Sequence, residues 1–400
     1  MNRWCFRDFD ARTAISGYTV LMKRILLAAI AAAFTLPTQA GFAVDQISFR
    51  RDGQSRQAVG KIVVESQDGG VLLEDRAGAL WAIQPGEIIE RHSDDKPFKR
   101  WDAAEIATQL NAELPGFRIH NTSHYVIAYN TSQDYARWCG SLFERLFLAF
   151  STFWKQRGLA LDEPPGPMLA VVFDTKQNFA RYAQDELKEA TPSIVGYYSL
   201  RTNRITMYDL TGLESLPKTG RGTSAEHINR LLSLPQAERT VATIIHEATH
   251  QLAFNGGLQT RYADIPLWVS EGIAVYFEAP DLQSRRGWRS VDNVNRVRLA
   301  DFQQYSARRP ADSLESLVAK DDRFRNTGAA PHAYSEAWAF NYFLLHKRQE
   351  DYVKYLKVLS AKLPLRNDEP QERLDEFRRA FGEDLQKLDT EFMRYMGTVR

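Results

Sequence analysis

Thr243-Ile-Ile-His-Glu-Ala-Thr-His-Gln251 sets His246 and His250 four residues apart, with Glu247 beside the first. On an α-helix that spacing stacks both imidazoles on one face, where each can give a nitrogen to a single Zn²⁺. Glu247 sits about 100° around such a helix from His246. It is displaced from the third ligand position but well placed to reach a metal-bound water. The surrounding residues predict the helix. Pro235 suits a first turn, Val241, Ile244, Ile245, Ala248, Leu252 and Ala253 supply an apolar surface, and Asn255-Gly256-Gly257 stops it.

A catalytic zinc takes three protein ligands and keeps one position open. Asp264, Glu271 and Glu278 are the downstream candidates. A third histidine in the metzincin arrangement is excluded, since Ala253 and Gly256 stand where its glycine and histidine would be. Pro266-Leu-Trp-Val-Ser-Glu-Gly-Ile-Ala-Val-Tyr-Phe-Glu278 reads as a second helix, opened by Pro266. Glu271 falls in its middle among apolar neighbours, where a carboxylate needs a cation to offset its desolvation. Glu271 is therefore the expected third ligand. Gly272 and Ala274 remove bulk and predict a close approach to the first helix.

Two helices, the first with H-E-x-x-H and the second with a glutamate about twenty residues later, resemble the gluzincin class of zinc metallopeptidases. Trp268-Val-Ser-Glu-Gly-Ile-Ala-Val-Tyr-Phe-Glu278 resembles the W-x-x-E-G-x-A-x-Y-x-E pattern of uncharacterised secreted bacterial gluzincin-like proteins. The similarity runs from about Pro115 to the C-terminus, and its specific motifs cover residues 243–278 and 331–345. The resemblance implies His246, His250 and Glu271 as metal ligands and Glu247 as general base. One departure is Val275, where thermolysin-like gluzincins carry an aspartate four residues after the third ligand. Support for the ligands must then come from elsewhere, and Glu278 is a candidate for it, a salt bridge at a helix end being its other reading. Pro331-His-Ala-Tyr-Ser-Glu-Ala-Trp-Ala-Phe-Asn-Tyr-Phe-Leu-Leu345 reads as an apolar helix with a polar start. Tyr334 resembles the tyrosine that several gluzincins place there for the oxyanion; His332 is the competing donor, and core packing is the alternative for Tyr334.

Met22-Lys-Arg-Ile-Leu-Leu-Ala-Ala-Ile-Ala-Ala-Ala-Phe-Thr-Leu-Pro-Thr-Gln-Ala40 has a basic start, a short apolar run and small residues at its end. It reads as a secretory signal within residues 1–40, with Met22 as the expected true start, and predicts a periplasmic or secreted protein. Its removal takes away Arg3, Arg7, Arg12, Lys23 and Arg24 with Asp8 and Asp10, leaving a net charge of −2. Near-balanced charge argues against a dedicated nucleic-acid binder, and 44% hydrophobic content fits ordinary cores. Cys139 is then the lone cysteine, with no internal disulfide open to it and no lipid-attachment role; a buried apolar role is the simplest. No other long apolar run is present, so no stable membrane span is expected in the mature chain.

The fold expected is α+β: a mixed sheet carrying the metal helix, a mostly helical C-terminal part, and a small β module in front. Gly60–Glu65, Gly70–Glu74 and Leu80–Ile83 are strand-like runs that place this module at residues 44–95, with a barrel as one form of it. The charged stretch His92 to Arg100 reads as a linker. The metallopeptidase-like region is 105–400, with the metal site at 243–278 and C-terminal helices over 331–400. His124–Tyr129 and Met168–Phe173 read as strands around a long helix. Tyr197-Tyr-Ser and Arg204–Tyr208 flank Leu200-Arg-Thr-Asn203 as a hairpin. By order along the chain, 204–208 resembles the edge strand on which gluzincins lay out substrate, although a purely structural hairpin is equally compatible. Seven arginines between 281 and 309 read as a solvated face, or as a rim of the cleft that favours acidic substrates. Phe377, Phe381, Leu385, Leu388 and Phe392 recur at helical spacing and predict core packing.

These readings together predict a secreted or periplasmic hydrolase with one Zn²⁺ per chain. It would cleave peptide or protein substrates by a zinc-activated water, with Glu247 as base and Tyr334 or His332 steadying the oxyanion. Two alternatives stand beside it. One is a zinc hydrolase of a non-peptide amide or ester in the cell envelope; the other is a non-catalytic envelope binding protein stabilised by zinc.

Overall fold

The computed structural model describes residues 43–188, 194–212, 224–278 and 292–400. The expected signal segment and residues 281–291 of the arginine-rich stretch lie outside these. The fold is α+β, with two five-stranded sheets and a mostly helical C-terminal part.

The first sheet holds β1 (Ala43–Arg51), β2 (Gln54–Glu65), β3 (Val71–Asp75), β4 (Leu80–Ile83) and β5 (Ile88–Pro97). All neighbours are antiparallel, in the order β4-β3-β2-β1-β5. This is an open sheet and not a barrel. Asp52 and Gly53 join β1 to β2, both at positive φ (53° and 76°), the geometry that matches a tight hairpin to strand twist. Ile47, Phe49, Ala58, Val71, Leu73 and Ile83 form its own small core. The stretch from His92 to Pro97, expected as a linker, instead forms the end of β5 and pairs with β1. Backbone pairing at an edge does not require apolar side chains, so charge gave no sign of it.

The second sheet holds β6 (Arg118–Asn121), β7 (Tyr125–Tyr129), β8 (Met168–Phe173), β9 (Gly196–Tyr198) and β10 (Arg204–Tyr208). The order is β6-β7-β8-β10-β9, with β7, β8 and β10 parallel and the two outer strands antiparallel. β7, β8 and β10 are buried along their whole length, as parallel strands covered on both faces should be. The hairpin over 197–208 forms as read. Its edge strand is β9, however, and not residues 204–208, because β10 is inserted between β8 and β9.

Helices α1 (Ala103–Glu113), α2 (Gln133–Gln156), α3 (Lys176–Leu187) and α4 (Ala225–Leu232) accompany this sheet. Cys139 is buried in α2, without a disulfide. The metal-motif helix α5 spans Pro235–Asn255, and Gly257 beyond it takes φ +71°. It lies across the sheet, where Gln251 Nε2 donates to the carbonyls of Leu169 (3.0 Å) and Asn203 (2.8 Å). Gly196 lets β9 approach it: a Cβ there would come within 2.8 Å of Ile244 Cδ1.

The second motif helix α6 (Leu267–Phe277) is buried at every residue, so no polar face marks its orientation. Asp321 accepts from its first amide, that of Leu267, at 2.9 Å, and Arg373 holds Asp321 at 3.0 Å. The remaining helices are α7 (Arg296–Ser306), α8 (Ser313–Ala319), α9 (Asp322–Arg325), α10 (Ala330–Lys347), α11 (Gln349–Ser360), α12 (Pro370–Phe381) and α13 (Leu385–Met396). Gly272 was expected to bring α6 against the first motif helix. It faces α10 instead, where a Cβ would fall 2.0 Å from Asn341 Nδ2 and 2.9 Å from the Ala337 carbonyl. Asn341 uses that space to donate to the carbonyls of Trp268 and Ala337. The C-terminal periodicity is two helices, parted at Gly382 with φ +98°, and Phe377 and Phe392 are buried as expected. No helix among the described residues is long and apolar enough to cross a membrane.

Candidate metal centre

His246 and His250 share one face of α5, and α6 delivers Glu271 against them. His246 Nε2 lies 3.1 Å from His250 Nε2 and 3.1 Å from Glu271 Oε2, and His250 Nε2 lies 3.7 Å from Glu271 Oε1. Donors about 2.0–2.1 Å from a tetrahedral centre stand about 3.3 Å apart, and the three distances bracket that value. Among the described residues, these three form the group of ligating side chains able to hold a metal ion. All three are buried, Glu271 to 1% exposure. A dication there meets the charge requirement that desolvation of Glu271 creates.

The outer partners explain how the donors are aimed. His246 Nδ1 lies 2.9 Å from Glu278 Oε1, at the end of α6. A carboxylate only accepts, so Nδ1 carries the proton and Nε2 turns toward the group, the arrangement typical of metal-binding histidines. Glu278 thus makes a contact to His246 that the apolar Val275 could not. Arg298 on α7 reaches both Glu278 oxygens at 3.4 Å and stands over the Tyr334 ring at 5.9 Å. Arg298 is one of seven arginines between 281 and 309, and nothing local in the sequence distinguishes it.

Glu271 and Glu247 are driven in opposite directions. Burial alone would raise Glu271, but His250 and His246 outweigh it and hold this carboxyl well below the usual range. Burial raises Glu247, and His246, His250 and the Tyr198 amide only partly oppose it. Burial also disfavours charge on His246, yet hydrogen bonds to Glu271 and Glu278 prevail and push it up to about 10. Metal binding would displace the proton on Nε2, so affinity depends on pH. One carboxylate is suited to be a permanently anionic ligand, its neighbour to take up a proton.

Glu247 Oε2 accepts the backbone N–H of Tyr198 at 2.8 Å. That amide is the outward-facing one of the edge strand β9, so strand and helix meet at the candidate base. The Tyr198 ring stacks on Phe254, two turns further along α5. Tyr334, in the first turns of α10, is buried beside Glu271. Burial first, then the charges of Glu271 and Glu247, push its phenol well above the ordinary value, so it remains a neutral donor. His332 is not brought to the group: it stacks on Tyr305 at 4.6 Å and lies 3.4 Å from Arg308. Two residues along a helix is about 200° of rotation, so Tyr334 turns inward and His332 away.

Fold and site together define an α+β protein with a buried two-histidine, one-glutamate group that could hold a metal ion. A family model described as "Protein of unknown function (DUF1570)" matches residues 240–366, a span from α5 past α11 that includes all three donors and Tyr334. Comparison with curated proteins finds no match.

Proposed function

We propose that this chain is a secreted or periplasmic zinc-dependent hydrolase of gluzincin type, acting on peptide bonds. The observation that carries the reading is Glu247. It sits next to the three donors without being one of them, is driven toward protonation, and is held by the edge-strand amide. A site that only stabilises a fold has no use for such a group. Zinc, when held by His246, His250 and Glu271, would polarise the scissile carbonyl and acidify a water. Glu247 takes the proton of the attacking water on Oε1, since Oε2 is engaged by Tyr198, and returns it to the leaving amine. The Tyr334 hydroxyl donates to the oxyanion as it forms. With the Tyr198 amide taken by Glu247, β9 offers its remaining outward backbone groups to an extended substrate.

The three-residue length of β9 favours a second reading, a zinc hydrolase of a compact non-peptide amide or ester, because few backbone groups are on offer. Digestion of a mixed peptide library by the zinc-loaded chain decides between them. New peptide termini, absent when zinc is chelated, are the expected result. No cleavage by a fully loaded sample would remove the peptidase reading.

A further inference from the structure

Glu74 on β3 is buried to 7% exposure, yet it belongs to the N-terminal sheet, well apart in sequence from the metal motifs. Its carboxylate receives Arg100, Lys61 Nζ at 3.0 Å and Arg261 Nη2 at 3.2 Å. Arg261 comes from the loop that joins α5 to α6. Its other terminal nitrogen, Nη1, donates to the carbonyl of Leu200 at 3.1 Å. The next carbonyl, that of Arg201, accepts the amide of Leu80 at the start of β4 at 2.7 Å. The N-terminal sheet therefore holds two successive carbonyls of the turn between β9 and β10, one directly and one through Arg261.

The same turn is fixed from its other side. Tyr198 Oη donates to Asn203 Oδ1 at 2.8 Å, and the Asn203 side chain pairs with Asn255 at the end of α5. Asn203 itself takes φ +59°, a conformation that needs such support. β9, three residues long and paired on one side only, runs directly into this anchored turn. A strand that short has little stability of its own and opens readily unless its ends are held. Its outward amide is the one on Glu247.

We propose that Glu74 and Arg261 are positioning residues through which the N-terminal sheet clamps the Leu200–Asn203 turn and so keeps the Tyr198 amide on Glu247. This rests on the reading of Glu247 as general base, and it gives the N-terminal sheet a part in the reaction without touching substrate. Glu74→Gln removes the charge that Arg100, Lys61 and Arg261 share and frees Arg261 to leave Leu200. Arg261→Met removes the donor to Leu200 while Glu74 keeps Arg100 and Lys61, and so serves if the first variant fails to fold.

The test is hydrogen exchange of the full zinc-loaded chain, with kcat and KM measured alongside. Both variants should exchange about tenfold faster over residues 196–203 while peptides from α5 and α6 and the zinc content stay as in wild type. kcat should fall about 10–100-fold, the scale of a catalytic group displaced by about 1 Å, with KM little changed. Unchanged exchange at 196–203 would overturn the proposal. So would exchange rising equally through α5 and α6, which marks general loosening, or faster exchange at 196–203 with unaltered kcat. If the wild type hydrolyses nothing, the hydrolase reading falls, and the exchange measurement still decides whether the sheet holds the turn.

Discussion

Glu271→Ala is expected to abolish tight metal binding, whereas Glu278→Ala should weaken it by only about 10–100-fold. The two glutamates lie two turns apart on or at the end of the same helix, but they meet His246 from opposite sides. Glu271 faces Nε2 and also approaches His250, whereas Glu278 meets Nδ1 alone. Loss of Glu271 removes a donor and the one anion at the centre of the group, leaving two imidazoles to hold a dication. Loss of Glu278 leaves three donors and frees the His246 ring to rotate. A competitive chelator titration of both variants against wild type gives the ranking, with circular dichroism to verify that each is folded. The reverse order would transfer the ligand role to Glu278.

Glu247→Gln should keep both fold and zinc while lowering turnover by at least about 10²–10⁴-fold, the usual contribution of a general base. The amide is nearly isosteric, and its oxygen still accepts from the Tyr198 N–H, so the side chain has no reason to move. It has no site for the water's proton. Turnover equal to wild type at equal zinc content would show that some other group takes that proton. The substitution also separates an enzyme from a zinc-stabilised binding protein, in which it should have no consequence at all.

What could be read from the sequence follows the range of the physics involved. The histidine pair on α5 was legible because i, i+4 spacing is a local consequence of helical geometry. Glu271 was legible because a carboxylate in the middle of an apolar run is costly without a cation. The contact between Glu278 and His246 depends on how α6 lies across α5, and the sequence offered it only as one of two readings. Arg298 was harder still, since its value comes from tertiary placement beside Glu278 and Tyr334. Strand order failed for the same reason: β9 and β10 are neighbours in the hairpin, but which of them forms the edge depends on the parallel pairing of β10 with β8, a long-range event. Gly272 announced a close approach without naming the partner, and the partner was α10. Tyr334 and its competitor His332 lie two residues apart, and which of them turns inward depends on how α10 packs: Tyr334 faces Glu271, and His332 faces Tyr305 and Arg308. The tie from Glu74 through Arg261 to the hairpin turn joins residues far apart in the chain and left no local trace.

His246, His250 and Glu271 are proposed to hold one zinc ion in the folded chain. Elemental analysis of the purified protein after gentle dialysis tests it most directly, with His246→Ala prepared in parallel. About one zinc per chain in the wild type and a marked loss in the variant are the predicted result. A folded wild type that carries no zinc and takes up none, or a variant that retains the wild-type content, would contradict it.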